Sequence, residues 1–459
     1  MKHYSSEELQ EWDKEYLWHP FTQMQDWIAG SPLIFEKGEG NYLSDTEGNK
    51  YLDLIASLWV NIHGHNCPEI NQAIKNQVDQ ISHSTLLGFS NIPSIKLAKQ
   101  LVEISPPGLK KVFFSDNGST AVEIALKMAF QFWQQQKTLG PNTKTKKKFI
   151  TFSNSYHGDT IGSVSLGGID LFHKTYGALL FETIEMPYPC PFHWQGNKQR
   201  CMEECLVLID NILKESCDQI AGIVIEPLMQ GAAGMMNSSP GFLKKLRLLC
   251  DQYAILLIFD EVATGFGRTG TMFACQQEGV TPDIMAVAKG ITGGYLPLAA
   301  TLTSREVFDA FLGKYAQQRT FFHGHSYTGN QLACAAALAN LELFEKNNVL
   351  EKLADKISVL TQILQPLNKL DHVGNIRQTG LMVGIELVKC KDPFKPFAWE
   401  DQKAAIICKD MIQKGFLLRP LGNVIVLMPP LSITVKELKL AVASLYESIR
   451  NKLNTPILK

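Results

Sequence analysis

The sequence has few cysteines, no surplus of charge of either sign and no long apolar run. Its longest apolar stretches, such as VIVLMPPL, are too short to span a bilayer, and the first residues, MKHYSSEELQEWDKEY, have no apolar segment of the kind found in secretory signals. The 44 Lys and Arg nearly balance the 45 Asp and Glu, which argues against nucleic acid or an anionic membrane as the main partner. We therefore expect a cytoplasmic protein that acts on small molecules.

The ten cysteines are too sparse in 459 residues to form a disulfide framework, and they suit a reducing compartment. One stretch, CPFHWQGNKQRCMEEC, contains four potential zinc ligands: Cys190, His193, Cys201 and Cys205. The spacing matches no common zinc site, and the prolines indicate an irregular loop. We predict no metal site, and a zinc site formed by this cluster is the alternative.

Short apolar runs alternate with helical stretches from about residue 110 onward, and this alternation is typical of βαβ units with a largely parallel sheet. The runs are KVFFS, KFITF, IAGIVIE, AILLIFD and IMAVAKG. Near residue 345 amphipathic helices and the strand GLMVGIELV replace this pattern. We predict an α/β fold in three parts: an N-terminal segment over residues 1–60 that joins the small domain, a large domain over 61–340 and a smaller α+β domain over 341–459.

Three local patterns add to this outline. GNYLSDTEGNKYLDL alternates in polarity and predicts a hairpin around Glu47 and Gly48. TLGPNTKTKKKF, residues 138–149, is basic and poor in apolar residues, so we expect an exposed loop. TAVEIALKMAFQFW predicts a helix buried on several sides, with Thr120 and Glu123 spaced as a capping box at its start.

Two charged residues follow buried strands. Lys289 comes after the apolar run IMAVA, where a buried amine must find a partner or lose its proton; a lysine there can also extend its ammonium group to solvent. Asp260 ends the run AILLIFD, 29 residues earlier, which is close to one βαβ unit. Because ligands bind at the carboxyl ends of strands in open α/β sheets, both side chains are predicted at one crevice. The alternative for Asp260 is a structural acceptor of backbone N–H groups.

Other strand ends carry groups that suit a planar, phosphorylated ligand. The strand KVFFS is followed by Gly118 and Ser119 at the start of a helix, where N–H groups, a glycine and hydroxyls can hold a phosphate. Tyr156 follows the strand KFITF, where its ring could stack on a planar group, and Glu226 ends the run IAGIVIE. An ordinary capped helix and an ordinary strand-end aromatic residue are the alternatives.

Together these residues fit one cofactor, pyridoxal phosphate. Lys289 would hold its aldehyde as a Schiff base, Asp260 would keep the ring nitrogen protonated, and Glu226 would help to position the ring. GFGRTG, residues 265–270, formally matches the dinucleotide motif, but no strand directly precedes it and only a poor helix follows. A NAD-dependent dehydrogenase is therefore the less favoured class.

The chain resembles the class III aminotransferases of pyridoxal phosphate fold type I over nearly its whole length. The shared motifs are NIHGHN, YHGDT, IEPLMQGAAGM, DEVATGFGRTG, AKGITGG and FFHGHSYTGN. LWHPFTQM and RPLGNVIVLMPP are similar to the branch of this family that converts 8-amino-7-oxononanoate to 7,8-diaminononanoate in biotin biosynthesis. The resemblance implies a ping-pong reaction and helices on both faces of the large sheet. An ω-amino-acid or ornithine-type aminotransferase is the alternative within the family.

The resemblance assigns roles to the residues at the strand ends. Lys289 matches the Schiff-base lysine, and Asp260 matches the partner of the ring nitrogen. Tyr156 matches the residue stacked near the ring, so these three are expected to act in catalysis. Gly118 and Ser119 match the phosphate loop.

Further matches concern the substrate and a second subunit. Ser326, near Gly324, matches a phosphate-binding hydroxyl that the other subunit contributes, which implies a homodimer with a shared active site. Arg419 matches the arginine that receives the substrate carboxylate. Arg268 could help to bind either the amino donor or the acceptor.

The amino donor is the least defined part of the resemblance. S-adenosylmethionine is the usual donor in this branch, but members that use it typically have a tyrosine where this chain has Phe21 and a tryptophan pair where it has Leu58 and Trp59. They also have Pro-Thr in place of His325-Ser326. HSTLLG, KGITGGYLP and FHGHSYTGN are similar to members that use lysine. We expect S-adenosylmethionine, with lysine as the rival.

Overall fold

The computed structural model describes residues 4–136 and 146–453. The N-terminal elements are α1 Ser6–Tyr16, α2 Met24–Ala29, β1 Phe35–Glu39, β2 Tyr42–Asp45, β3 Lys50–Asp53, α3 Ala56–Trp59, α4 Pro68–Gln80 and α5 Ile92–Ile104. β2 and β3 are antiparallel, with Ser44 opposite Lys50, so the predicted hairpin around Glu47 and Gly48 is confirmed.

A seven-stranded sheet forms the centre of the molecule. Its strands are β4 Leu109–Ser115, β5 Lys148–Phe152, β6 Ile184–Met186, β7 Ile220–Ile225, β10 Leu256–Asp260, β11 Ile284–Val287 and β12 Ala299–Ser304. They are ordered β4-β12-β11-β10-β7-β5-β6, and only β12 runs antiparallel to its neighbours. All five apolar runs lie in this sheet, so the predicted α/β fold with a mainly parallel sheet is confirmed.

Helices cover both faces of the central sheet. The remaining elements of this part are α6 Gly118–Gln135, α7 Ile161–Ser165, α8 Asp170–His173, α9 Cys201–Ser216, β8 Met229–Gln230, β9 Met236–Asn237, α10 Phe242–Tyr253, α11 Arg305–Asp309 and α12 Gln331–Lys346. Leu256 and Ile258 of β10 pack in one core with α6, while Leu257 and Phe259 pack in another with α9 and α10. Successive side chains of a strand point to opposite faces, which explains the continuous apolar run of β10.

The C-terminal part pairs with the N-terminal strands. Its elements are α13 Val349–Leu364, β13 Val373–Thr379, β14 Met382–Cys390, β15 Lys395–Pro396, α14 Lys403–Gln413, β16 Phe416–Leu417, β17 Arg419–Leu421, β18 Val424–Leu427 and α15 Val435–Leu453. β16 runs parallel to β3, with Phe416 opposite Leu52, so both ends of the chain share one sheet. α12 crosses the predicted boundary between residues 340 and 341. The division into three parts stays a prediction.

The start of α6 differs from its prediction. Asn117, not Thr120, is the N-cap: its side chain accepts a hydrogen bond from the Thr120 N–H at 3.0 Å, and Thr120 Oγ1 accepts one from the Asn117 N–H at 3.2 Å. Asparagine caps as well as threonine does, and a cap one turn earlier places Gly118 and Ser119 in the first helical turn. The predicted capping box of Thr120 and Glu123 is therefore wrong.

The predicted basic loop lies partly outside the described residues, which resume at residue 146. The remainder of that prediction is wrong, because Lys146 is buried and β5 begins at Lys148. Lys146 Nζ donates hydrogen bonds to the carbonyls of Cys217 at 2.6 Å, Ile220 at 3.3 Å and Ala254 at 3.1 Å. These acceptors compensate for the loss of water around the ammonium group. Among the described helices, none is long and apolar enough to cross a membrane.

Candidate active site

A cleft of about 750 Å³ opens at the carboxyl ends of the parallel strands. This is where open α/β sheets bind their ligands, because the loops that leave neighbouring strands diverge there. The residues lining the cleft come from six separate segments and include Trp59, Gly118, Ser119, Tyr156, His157, Glu226, Asp260 and Lys289. The two charged residues singled out in the sequence, Asp260 and Lys289, thus lie at one crevice.

Lys289 lies just beyond β11, at the start of a 3₁₀ turn that spans Lys289–Thr292. Its φ of 46° is in the left-handed region, which non-glycine residues rarely adopt. Asn340, on α12, holds this turn, since its Nδ2 donates hydrogen bonds to the carbonyls of Gly290 and Ile291, both at 3.0 Å. Burial lowers the pKa of Lys289, although the nearby charges of Asp260 and Glu226 oppose this effect. The lowered pKa favours a neutral, reactive amine.

Asp260 is paired with a histidine. His157 Nδ1 lies 2.7 Å from Asp260 Oδ2, while Asp260 Oδ1 accepts a hydrogen bond from the Val262 N–H at 3.0 Å. Burial by itself lowers the pKa of His157, but its hydrogen bond to Asp260 and the negative charge there raise the pKa overall. His157 Nδ1 thus donates a hydrogen bond to the carboxylate, which fixes the orientation of Asp260 at the cleft.

Glu261, next to Asp260, has a different environment. Its side chain lies outside the residues that line the cleft and is fully buried. It accepts hydrogen bonds from Thr264 Oγ1 at 2.6 Å, the Ala274 N–H at 3.0 Å and the Cys275 N–H at 2.8 Å. Consecutive residues at a strand end point in opposite directions, so one acid faces the cleft and the other ties down the following loop.

Glu226 is a second buried acid in the cleft. Its two oxygens accept hydrogen bonds from the Tyr156 N–H at 3.2 Å and the Gly231 N–H at 3.0 Å. Burial raises the pKa of Glu226 to about 7, and the charge of Asp260 contributes in the same direction. This carboxyl group can therefore change its protonation near neutral pH, beside both Asp260 and Lys289.

The start of α6 forms one end of the cleft. The first N–H groups of a helix have no carbonyl partner within the helix, and here they belong to Gly118 and Ser119. A side chain at Gly118 would not fit, because its Cβ would lie 2.5 Å from Val262 Cγ1. Ser119 Oγ accepts a hydrogen bond from the Thr160 N–H at 3.0 Å. This end of the cleft has the donors that bind an anion such as phosphate.

Aromatic side chains also line the cleft, among them those of Tyr156 and Trp59. The Tyr156 hydroxyl donates a hydrogen bond to Asp159 Oδ2 at 2.7 Å, and burial together with this acid raises its pKa. The Trp59 ring centroid lies 4.8 Å from Lys289 Nζ. Leu58 is 48% exposed beside it, and Phe21 is 57% exposed. The Phe21 ring contacts Phe172, whose ring in turn contacts that of Tyr156, so Phe21 lies at the periphery of the site.

Four other predicted residues do not line the cleft of the single chain. Arg268 is buried, and its Nη1 and Nη2 donate to the carbonyls of Pro429 and Asn61, each at 2.6 Å. Arg419, Gly324 and Ser326 are exposed. Their roles in substrate and phosphate binding stay predictions.

The two alternative sites have no support in the geometry. Within residues 4–136 and 146–453 no group of three or more His, Cys, Asp and Glu side chains could hold a metal ion. In the cysteine cluster, His193 contacts Glu386 Oε2 at 3.0 Å and Cys201 Sγ contacts Ser239 Oγ at 3.0 Å. GFGRTG forms consecutive turns and is followed by a short 3₁₀ helix, Ala274–Glu278, so it does not begin a helix as a dinucleotide motif requires.

Sequence reasoning missed two residues that support the site. His157 follows Tyr156 after the strand KFITF, and its position after a strand is the same signal that identified Asp260. Asn340 lies within an apolar stretch of α12, and a fully buried amide there could have indicated a specific partner. Its contact with the Lys289 turn joins segments about 50 residues apart, which no local pattern predicts.

Comparisons with known proteins agree with this geometry. Residues 25–449 match the family described as aminotransferase class-III. The adenosylmethionine-8-amino-7-oxononanoate aminotransferase of Geobacter sulfurreducens is 51% identical over 98% of this chain and 99% of its own length. The crystal structure of the Methanocaldococcus jannaschii enzyme of that name has a TM-score of 0.92 at 45% identity, covering 97% of this chain and 99% of that one.

A more distant solved structure extends the comparison. The omega transaminase from Pseudomonas jessenii in complex with PMP has a TM-score of 0.91 at 30% identity and covers 97% of this chain and 98% of that one. These superpositions confirm the predicted fold type I. The family also rules against the dehydrogenase alternative. The chain therefore belongs to the class III aminotransferases.

Proposed function

We propose that the protein transfers an amino group to the ketone of 8-amino-7-oxononanoate, which yields 7,8-diaminononanoate in biotin biosynthesis. The observation that carries the proposal is the 51% identity, over 98% of this chain, to an aminotransferase named for that acceptor. The P. jessenii omega transaminase is only 30% identical, so an ω-amino-acid or ornithine-type activity has less support.

Class III aminotransferases depend on pyridoxal phosphate, and the residues of the cleft fit it. When bound, this cofactor supplies an aldehyde that receives the amino group and a ring that withdraws electrons from the reacting carbon. The N–H groups at the start of α6, with Ser119, suit its phosphate. Tyr156 would contact the ring, with Glu226 beside it. Asp260 would keep the ring nitrogen protonated, and Lys289 would bind the aldehyde.

Lys289 is proposed to carry the proton in both halves of a ping-pong reaction. Its pKa is lowered by burial, which favours the neutral form that a general base requires. Asp260 and Glu226 supply the opposing charges that let the amine take up the proton and return it in the second half. Asn340 keeps the turn in place while the side chain moves.

The substrate side is proposed to consist of Phe21, Leu58 and Trp59 around the mouth of the cleft. Arg419 would receive the carboxylate of the acceptor through its guanidinium group. Arg268 is buried, with two of its nitrogens bound to backbone carbonyls, so it supports the substrate side from behind.

S-adenosylmethionine is proposed as the donor, because the relative from G. sulfurreducens is named for it, and lysine is the rival. We expect the pyridoxal form of the protein to lose its visible absorbance when S-adenosylmethionine is added alone, because the amino group passes to the cofactor. Lysine alone should leave the spectrum unchanged, and the Lys289→Ala variant serves as the control for non-specific effects. Bleaching by lysine alone would assign the other donor.

We also propose a homodimer in the cytoplasm, in which each subunit gives Ser326 to the other active site. The exposed aromatic residues Phe322 and Tyr327 beside Ser326 support the dimer. The ten free thiols support a reducing compartment such as the cytoplasm. Ser326→Ala and Lys289→Ala subunits should each have little activity alone, but mixed dimers should regain part of it because one of their two sites is intact. Mixtures no more active than the separate variants would contradict a shared site.

A further inference from the structure

The segment over residues 55–60 brings Trp59 into the cleft on a strained backbone. Ala56, Ser57 and Trp59 have φ values of 49°, 62° and 65°, in the left-handed region that non-glycine residues rarely adopt. Three such residues within four persist only where neighbouring groups hold them in place. The groups that hold this segment therefore determine where the Trp59 ring lies.

Asp53, the last residue of β3, binds the segment directly. Its side chain is fully buried, and Oδ1 accepts a hydrogen bond from the Ile55 N–H at 3.1 Å. Oδ2 accepts one from the Ser57 N–H at 2.7 Å and a third from His65 Nε2 at 2.9 Å. A single carboxylate thus satisfies two N–H groups of the strained turn.

The directions of the hydrogen bonds of His65 follow from its other neighbour, Asn61. Asn61 Oδ1 accepts a hydrogen bond from the Gly64 N–H at 2.8 Å, which fixes the orientation of the amide. Asn61 Nδ2 lies 3.1 Å from His65 Nδ1 and is the donor there, and His65 Nε2 on the other side of the ring donates to Asp53. Burial lowers the pKa of Arg268, which donates to the Asn61 carbonyl, and the charge of Asp53 opposes this effect.

The Lys289 turn and the Trp59 segment are held by different groups. Asn340 bonds the backbone after Lys289, whereas Asp53 bonds the backbone before Trp59. The Trp59 ring lies against Gly231, where an added Cβ would be 3.3 Å from Cζ3, and its centroid is 4.8 Å from Lys289 Nζ. Loosening the segment should therefore displace the wall of the cleft and leave the lysine turn in place.

We propose that Asp53 is a positioning residue which, supported by His65, fixes Trp59 as a wall of the substrate cleft and thereby sets the affinity for the acceptor. The inference deepens the proposed function and rests on it, because it takes Trp59 to face the substrate. Asp53 does not itself line the cleft and acts only through the backbone of the segment.

The kinetic test uses the holoenzyme with Asp53→Asn. We expect the KM for 8-amino-7-oxononanoate to rise about tenfold or more, with kcat changed by less than about threefold, because the interaction lost acts on binding. The matched control is Asp45→Asn, since Asp45 is also buried and accepts two backbone N–H groups, those of Glu47 and Asn49, but lies away from the cleft. A KM equal to that of the wild type in Asp53→Asn would overturn the proposal.

A second measurement is independent of turnover. In the cofactor-free protein, hydrogen exchange at Ile55 and Ser57 should speed up about tenfold or more in Asp53→Asn, while Asp45→Asn affects only residues near 47–49. Unchanged exchange at both amides would also overturn the proposal. If Asp53→Asn does not fold, His65→Ala takes its place in the test. This variant leaves both backbone hydrogen bonds to Asp53 in place, so it should give smaller changes in the same direction.

The two proposals fail in distinguishable ways. If the wild type does not turn over 8-amino-7-oxononanoate, the proposed function is wrong. Faster hydrogen exchange at Ile55 and Ser57 in Asp53→Asn would then still show that Asp53 fixes the segment over residues 55–60. If the wild type is active and the variant matches it in KM and exchange, the proposed function stands and the role of Asp53 is wrong.

Discussion

Lys289→Ala is expected to abolish turnover, with kcat reduced at least about 10⁴-fold, and to remove the visible absorbance of the cofactor-loaded protein. Lys289 is the only lysine among the described residues that line the cleft, so no neighbouring amine can replace it. Burial lowers its pKa, which favours the neutral amine that both the covalent bond and the proton transfer need. Steady-state rates and absorption spectra measure the two effects. Borohydride reduction of the wild type, followed by peptide mapping, should place the modification on Lys289.

The matched control is Lys146→Met, because Lys146 is also a buried lysine but lies outside the cleft. Its three carbonyl acceptors would lose their donor, which should lower the free energy of unfolding by about 1–3 kcal/mol. The absorbance and turnover of the folded fraction should stay at wild-type values. If Lys289→Ala kept both its activity and its absorbance, the assignment of that residue would be wrong.

The position of the cleft followed from the sequence because it depends on local patterns and one geometric rule. Apolar runs identified the strands, and ligands bind at the carboxyl ends of strands in such sheets. β10 and β11 are indeed neighbours, with Asp260 opposite Ala286. Lys289 follows three residues later in the chain, so both side chains reach the same crevice.

Other features depend on contacts between distant segments and could not be predicted this way. A run of lysines predicts a solvent-exposed segment, yet Lys146 is buried because three carbonyls from two connections converge on it, those of Cys217 and Ile220 where α9 leads into β7 and that of Ala254 after α10. Arg268 lies in a glycine-rich stretch that suggests a ligand loop, but its partners are the carbonyls of Pro429 and Asn61, which are 161 and 207 residues away along the chain. The predicted roles of Phe21, Ser326 and Arg419 came from the family resemblance alone.

Asp260→Asn is expected to lower kcat about 10²–10³-fold, because the amide cannot supply the negative charge that keeps the ring nitrogen protonated. The substitution preserves the shape of the side chain and a hydrogen bond acceptor for Val262. It also removes the charge that raises the pKa of His157 most, so this pKa should fall, because only the smaller effect of Glu226 then opposes burial. Steady-state kinetics and the NMR titration of His157 test these two consequences.

The contact between His157 and Asp260 also predicts that the stability of the fold depends on pH. The folded state raises the pKa of His157, so the pair stabilises the fold fully below the unfolded histidine pKa of about 6.5 and less as the pH rises through the raised value. Denaturation of the cofactor-free protein should therefore show that Asp260→Asn loses more stability at acidic pH than at alkaline pH. An equal loss at both would mean that His157 is neutral beside Asp260.

Glu261→Gln is the control that separates charge in the cleft from packing at the strand end. Glu261 is the next residue, equally buried, but it accepts hydrogen bonds from Thr264, Ala274 and Cys275 on the other side of the strand. Its replacement should reduce the free energy of unfolding by about 1–3 kcal/mol, because one of its two acceptor oxygens becomes an NH2 group that faces hydrogen-bond donors. Turnover per folded molecule should remain within about threefold of the wild type. If both variants lost turnover equally, the strand end as a whole, and not the carboxylate of Asp260, would be responsible.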